Sequence, residues 1–145
     1  MEPAIRRWVA EAGLGDRVSV SGTAASAESV MAAFDAALYV PLESDGMSRV
    51  LFEYLALGKP VVASRVGVVP EVLADDDNAL LVPAGEPGPL SRAVARILDD
   101  APLRSRLGEA ARRLVESRLS GARIARDLAS LYAEMASAGG ERRHR

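Results

Sequence analysis

The sequence predicts an α/β fold: a partial, doubly wound parallel sheet of about four strands, followed by a C-terminal run of helices. Three observations support this. The runs "AALYVP" (36–41), "PVVAS" (60–64) and "ALLVP" (79–83) are short, apolar and bounded by turn residues, as central parallel strands are. Segments of helical periodicity alternate with them, and strands alternating with helices build a parallel sheet. The last third of the chain is helix-periodic throughout, with Leu103, Leu107, Ala111 and Leu114 spaced three or four apart.

Each element follows from its local pattern. "AIRRWVAEAG" (4–13) places Ile5, Trp8 and Val9 on one helical face, with Trp8 expected in the core, and stops at Gly13. "RVSVSG" (17–22) alternates and is β-branched, which predicts a short strand. "SAESVMAAFDA" (26–36) reads as a helix with Ser26 at its N-cap. Between the strands at 36–41 and 60–64, a greasy helix runs to Leu57 and is ended by Gly58, with Pro60 just beyond. The turn-rich "ADDDN" (74–78) precedes the strand at 79–83. Helices over 87–98, 102–119 and 121–135 close the fold, and a single domain over 1–136 gives way to a basic disordered tail at 137–145.

Composition sets the class. A chain of 145 residues, 49% hydrophobic and 26% charged, belongs with ordinary globular proteins. A formal charge of −2 gives no electrostatic case for nucleic acid. Cysteine is absent, which excludes disulfides and thiolate chemistry, and the one histidine, His144, lies in the terminal tail. With neither a signal peptide nor an apolar run long enough to span a bilayer, the expected compartment is the cytoplasm. Seventeen of the eighteen basic residues are arginine, and Lys59 is the only lysine; arginines among acids on the final helices suit a solvated mixed-charge face.

The chemistry concentrates in "SDGMSRVLFEYLALGKPVVA" (44–63). From Val50 to Leu57 every residue except Glu53 is apolar, so the helix is expected to be buried on most sides. A buried carboxylate needs a cation, a set of donors or a ligand. In open parallel sheets ligands bind beyond the carboxyl ends of the strands, which points to the loop "VPLESDGMS" (40–48). Gly46 and Met47 offer backbone N–H groups there, and the helix entered near Ser48 presents a positive tip to an anion. Glu53 lies five residues on, roughly 7–8 Å along the axis. That offset suits a sugar hanging from a diphosphate held at the tip, and a carboxylate can accept both hydroxyls of a ribose.

The run "DGMSRVLFEYLALGKPVVASRVGVVPEV" resembles the signature of glycosyltransferase family 4, group 1 retaining enzymes of the GT-B fold that use nucleotide-sugar donors. Asp45 stands where that pattern has its first glutamate, and Glu53, eight positions on, matches the second. Gly58, Pro60, Val61, Val62, Gly67, Pro70 and Glu71 fall in step, and the likeness extends from about Ile5 to Tyr132. The resemblance implies the Rossmann-like C-terminal, donor-binding domain of a transferase that moves a hexose-type sugar to an acceptor. It implies that Glu53 binds the donor ribose. Gly46, Met47, Ser48, Arg49 and Val50 would hold the diphosphate and flank the sugar, Gly22 would lie beside the base, and Asp45 would serve catalysis by steadying charge near the anomeric carbon. The donor would be a nucleotide diphosphate sugar such as a UDP-, ADP- or GDP-sugar, with no metal and no other cofactor. Two positions depart from the pattern: Asp45 is a methylene short, and Val68 replaces the second glycine of a Gly-Gly pair.

The resemblance also implies an incomplete domain. It lacks the acceptor domain and the first two strands, which in the 3-2-1-4-5-6 order sit between "RVSVSG" and "ALYVP". The strand at 17–22 is therefore expected either to close onto the strand at 36–41 or to leave a gap filled by a second chain, a homo-oligomer included. Plainer readings stand beside these roles: Glu53 as an i,i+4 partner of Arg49, Asp45 as a turn residue, Ser48 as an N-cap, Gly46 and Gly67 as turn glycines, and the chain as a non-catalytic assembly module that retains the fold.

Overall fold

Three strands form the sheet in a computed structural model that describes residues 2–44, 46 and 48–141, the side chains of 137–141 aside. The chain divides into two compact units, Met1–Val30 and Met31–Arg145.

In the first unit, α1 (Glu2–Glu11) is an amphipathic helix whose Arg6 pairs with Glu2 at 2.7 Å. Of its apolar face only Val9 is buried; Ile5 is exposed, and Trp8, expected in the core, is 59% exposed. The strand expected at 17–22 does not form. The N–H groups of Arg17 and Val18 both donate to the Leu14 carbonyl, at 2.9 Å each, so the segment begins as a turn. Its next carbonyl contact is to a side chain, with Arg6 Nη2 donating to Val20 O at 2.6 Å. Alternating β-branched residues make a strand only where a neighbouring strand takes their backbone groups, and none is present among the described residues of this unit. The helix α2 (Ala27–Ala32) starts as its sequence predicts, with Ser29 N donating to Ser26 Oγ at 3.2 Å, but it is shorter than expected.

The second unit holds the sheet. Strands β1 (Ala37–Tyr39), β2 (Val61–Ser64) and β3 (Leu80–Val82) run parallel in the order β1-β2-β3. The register pairs Leu38 with Val62 and Tyr39 with Ala63, then Val62 with Leu80 and Ala63 with Leu81. Helices α3 (Arg49–Ala56), α4 (Val69–Val72), α5 (Pro87–Asp99) and α6 (Ala101–Leu114) flank it. A π-helical turn at Val115–Leu119 leads into α7 (Gly121–Glu141), which continues past the boundary expected at residue 136. The α/β class, the parallel sheet and the helical C-terminal run agree with the sequence, with three strands in place of about four.

Pleating sorts the apolar side chains between two clusters. On one face Ala37, Tyr39, Val61, Ala63 and Leu81 meet Leu51 and Leu55 of α3 and Ala111 and Leu114 of α6. On the other, Val62, Leu80 and Val82 meet Ile97 of α5 and Leu103 and Leu107 of α6. Leu38 shares that second face through its pairing with Val62, yet is 45% exposed, so the cover stops short of β1.

The turn between α3 and β2 explains two glycines. Gly58 N donates to Leu55 O and Lys59 N to Tyr54 O, the paired bonds of a Schellman end, with Gly58 at φ +65°. Across from it, a Cβ at Gly108 would overlap the Gly58 carbonyl oxygen and lie 3.3 Å from its carbon. Lys59 ties this turn to the end of α2, donating to Ala32 O at 2.5 Å and Phe34 O at 3.1 Å.

Candidate functional site

β1 delivers the chain to the carboxyl edge of the sheet at Val40 and Pro41, and α3 begins eight residues later. Between them lies the loop singled out by the sequence. Ser48 occupies the N-cap with extended angles (φ −63°, ψ 141°), but its hydroxyl makes no capping bond. Its backbone N–H donates instead to the phenol oxygen of Tyr39, at 3.1 Å, so this amide of the expected anion cradle is already engaged. Helix geometry leaves the N–H groups of Arg49 and Val50 without an acceptor inside α3, and these form its positive tip. Gly46 has φ +77°, and a Cβ there would meet nothing within 4 Å: the turn wants a glycine-like backbone, and the space above it is open.

Glu53 corrects the sequence reading. Helix α3 buries only Leu51 and Leu55; Val50, Phe52 and Tyr54 are half-buried, and the Glu53 side chain is 41% exposed. The carboxylate therefore escapes the burial cost that seemed to demand a ligand. Its partner is the plain one, Arg49 Nε at 3.1 Å from Oε1, one helical turn toward the N-terminus. With the Arg49 side chain 91% exposed, this pair contributes no more than about 0.5 kcal/mol, and Glu53 can exchange it for another partner at little cost.

Gly46, Ser48, Arg49, Val50 and Glu53 are thus brought together on one loop and one helix. Gly22 belongs to the other unit, where it is exposed and its missing Cβ would touch nothing within 4 Å. Asp45 and Met47 lie outside the described residues.

The sequence reading missed the contacts that fix the loop's surroundings. Gly67, following β2, has φ +51°, and a Cβ built on it would overlap Ser44 Oγ and sit 2.6 Å from Ser44 Cβ. Gly67 was legible as a turn glycine, but nothing in the sequence pairs it with Ser44. Val68, the departure from Gly-Gly, has ordinary angles (φ −82°, ψ −4°), so no glycine is required there. Tyr39, inside the apolar run read as a strand, is buried, but its hydroxyl reaches the helix start.

A hollow of about 250 Å³ opens at the same edge of the sheet, lined by Val40, Leu42, Ser64, Val82 and Leu90 among others. A roomier one of about 480 Å³, between Phe34, Lys59, Arg104 and Arg112, lies at the opposite edge, where the turn into β2 begins. Topology favours the carboxyl edge as the ligand side despite the difference in volume. Among the described residues, no three His, Cys, Asp or Glu are grouped to hold a metal ion. No helix among them is long and apolar enough to cross a membrane.

Comparison with known proteins gives the family and the fold. The chain is 35% identical over 113 residues to the D-inositol 3-phosphate glycosyltransferase of Corynebacterium efficiens, a match covering 77% of this chain and 26% of that protein. It is 28% identical over 135 residues to the alpha-D-kanosaminyltransferase of Streptomyces kanamyceticus, covering 92% of this chain and 35% of the relative. The fold superimposes on Anabaena HepE, solved in complex with UDP, with a TM-score of 0.85 at 23% identity, over 91% of this chain and 36% of HepE. It superimposes on sucrose-phosphate synthase from Thermosynechococcus elongatus with a TM-score of 0.77 at 29% identity, over 94% and 34% of the two chains. The chain thus spans about a quarter to a third of these proteins. The sequence profile of the glycosyl transferases group 1 family matches residues 2–114, and the chain belongs to that family.

Proposed function

We propose that the chain is the donor-binding part of a retaining glycosyltransferase, holding a nucleotide diphosphate sugar at the tip of α3. The observation that carries this reading is the half-exposed Glu53 carboxylate, roughly 7–8 Å along the helix from an open, glycine-bearing loop, in a member of the group 1 family. The free N–H groups of Arg49 and Val50, with Gly46 and Met47, receive the diphosphate. Glu53 leaves Arg49 and accepts the ribose hydroxyls. Asp45 is assigned the charge that develops at the anomeric carbon as the bond to the leaving diphosphate breaks. Fixed amide dipoles and cations stabilise that leaving group, with no metal required. HepE, a fold neighbour, is described in complex with UDP and with UDP-glucose, which supports the choice of ligand class. The acceptor, a hexose-type transfer and the strands that complete β1's free edge are assigned to a further domain or a second chain, so this chain alone binds donor without turning it over.

Calorimetric titration with UDP-, ADP- and GDP-glucose tests the reading. One of them is expected to bind the wild-type chain, and Glu53→Ala to weaken it by about 1.5–3 kcal/mol, the range for a hydrogen-bonded charged group. Equal, negligible heats from both proteins remove the donor site. They leave the second reading, a non-catalytic assembly module, which the exposed apolar stripe of α7 and the uncovered Leu38 specifically favour.

A further inference from the structure

We infer that Gly67 is a positioning residue for the nucleotide-sugar loop, acting through its close contact with Ser44; the inference rests on the donor-site reading above. The loop that carries the site, residues 40–48, is met at its far end by β1 and at its middle by the segment that follows β2. At its far end, Ser48 N–H is bonded to Tyr39 of β1 at 3.1 Å. At its middle, Ser44 lies where a side chain at Gly67 would stand: a Cβ there would overlap Ser44 Oγ, lie 2.6 Å from Ser44 Cβ and 3.5 Å from Ser44 Cα. The two glycines of the region therefore differ in kind. Gly46 is needed for its backbone angle alone, because its Cβ would meet nothing. Gly67 is needed for its angle and for the room it gives Ser44. The adjoining Val68 has ordinary angles, so the second glycine is dispensable while the first is not. Gly67 lies three residues past the end of β2 and is the means by which the β2–α4 connection sets the middle of the β1–α3 loop. Through it, the diphosphate end of the donor takes its position from the sheet.

A double-mutant cycle on the full chain separates contact from backbone strain. Gly67→Ala brings both the clash and an unfavourable φ; Ser44→Gly removes every Ser44 atom closer than 3.5 Å to the new Cβ, so the double variant keeps the strain and loses the clash. Two readouts are taken on wild type, both single variants and the double. The first is the amide resonances of Gly46 and Ser48, which need no ligand. Gly67→Ala is expected to displace them, and the double variant to return them to the Ser44→Gly positions, although both Gly67→Ala proteins melt lower. The second is the Kd for UDP-glucose, expected to weaken about tenfold in Gly67→Ala and to return within about twofold of Ser44→Gly in the double, the clash being relieved while the backbone strain stays. Resonances unmoved in Gly67→Ala, or equally displaced in the double, overturn the inference. So does a Gly67→Ala protein that melts lower but binds UDP-glucose as wild type does. If neither wild type nor any variant binds UDP-, ADP- or GDP-glucose while the resonances follow the expected pattern, the donor reading fails and the contact between the loops stands.

Discussion

Asp76 is a single residue on which three elements converge. It sits at φ +60° in the turn before β3 and accepts from Arg96 of α5 at 2.9 Å and from Arg106 of α6 at 3.3 Å, while its own carbonyl accepts from Arg106 at 2.7 Å. The Arg96 hydrogen bond, with the charges of both arginines, holds its carboxyl below the usual 3.8. A carboxylate whose folded pKa is depressed adds stability above its unfolded pKa and loses it as pH falls through the folded value. Asp76→Asn keeps a residue tolerant of positive φ and removes only the charge. Its urea midpoint is therefore expected below wild type at pH 7, with the gap closing below pH 3.8. Arginines on the late helices were legible as a mixed-charge face, and Arg112–Glu116, Arg113–Glu109 and Arg123–Asp127 form the i,i+4 pairs that such a face contains. Asp76's partners lie 20 and 30 residues away and were not legible, since local spacing carries no record of them. Glu53 shows the opposite failure: its neighbours in sequence suggested burial, but a helix against one sheet face keeps an outer side.

At the scale of elements, the periodic segments were readable and the marginal ones were not. Strands β1 to β3 fall within the apolar runs, because a strand inside a parallel sheet must be apolar on both faces, and that leaves a plain mark. The alternating "RVSVSG" carries the mark of a strand, yet a strand also needs a neighbour, which no local pattern supplies. Helix α6 meets the turn after α3 where Gly108 backs onto Gly58, leaving no space for a methyl group. Gly108→Ala is expected to destabilise by about 1–3 kcal/mol despite its better helix propensity, read as a lower urea midpoint with an unchanged slope. Helix α7 behaves in the opposite way. Every side chain described in it through Ala136 is exposed, including Ile124, Leu128, Leu131, Tyr132 and Met135. Ending the chain after Ser120 is accordingly expected to move the midpoint far less than Gly108→Ala does.

For the molecule as a whole, the group 1 family was legible because its motifs are local and ordered, whereas the contacts that shape the site join separate loops. Leu38 and Val40 of the uncovered sheet edge, Leu42 beside them and Trp8 of α1 all expose apolar surface. Such surface is expected to bind a hydrophobic dye strongly, and Leu38→Lys with Leu42→Lys to reduce the fluorescence without lowering the melting temperature. A dye signal unchanged by both lysines would clear this face. Helix α6 has a further consequence for the larger unit. Its first half, through Leu103 and Leu107, seals one side of the sheet, and its second half, through Ala111 and Leu114, seals the other. Neither side can come apart while the helix stays intact, so the two cores are thermodynamically one. Heat should take residues 31–120 from native to denatured in a single step, with calorimetric and van't Hoff enthalpies in agreement.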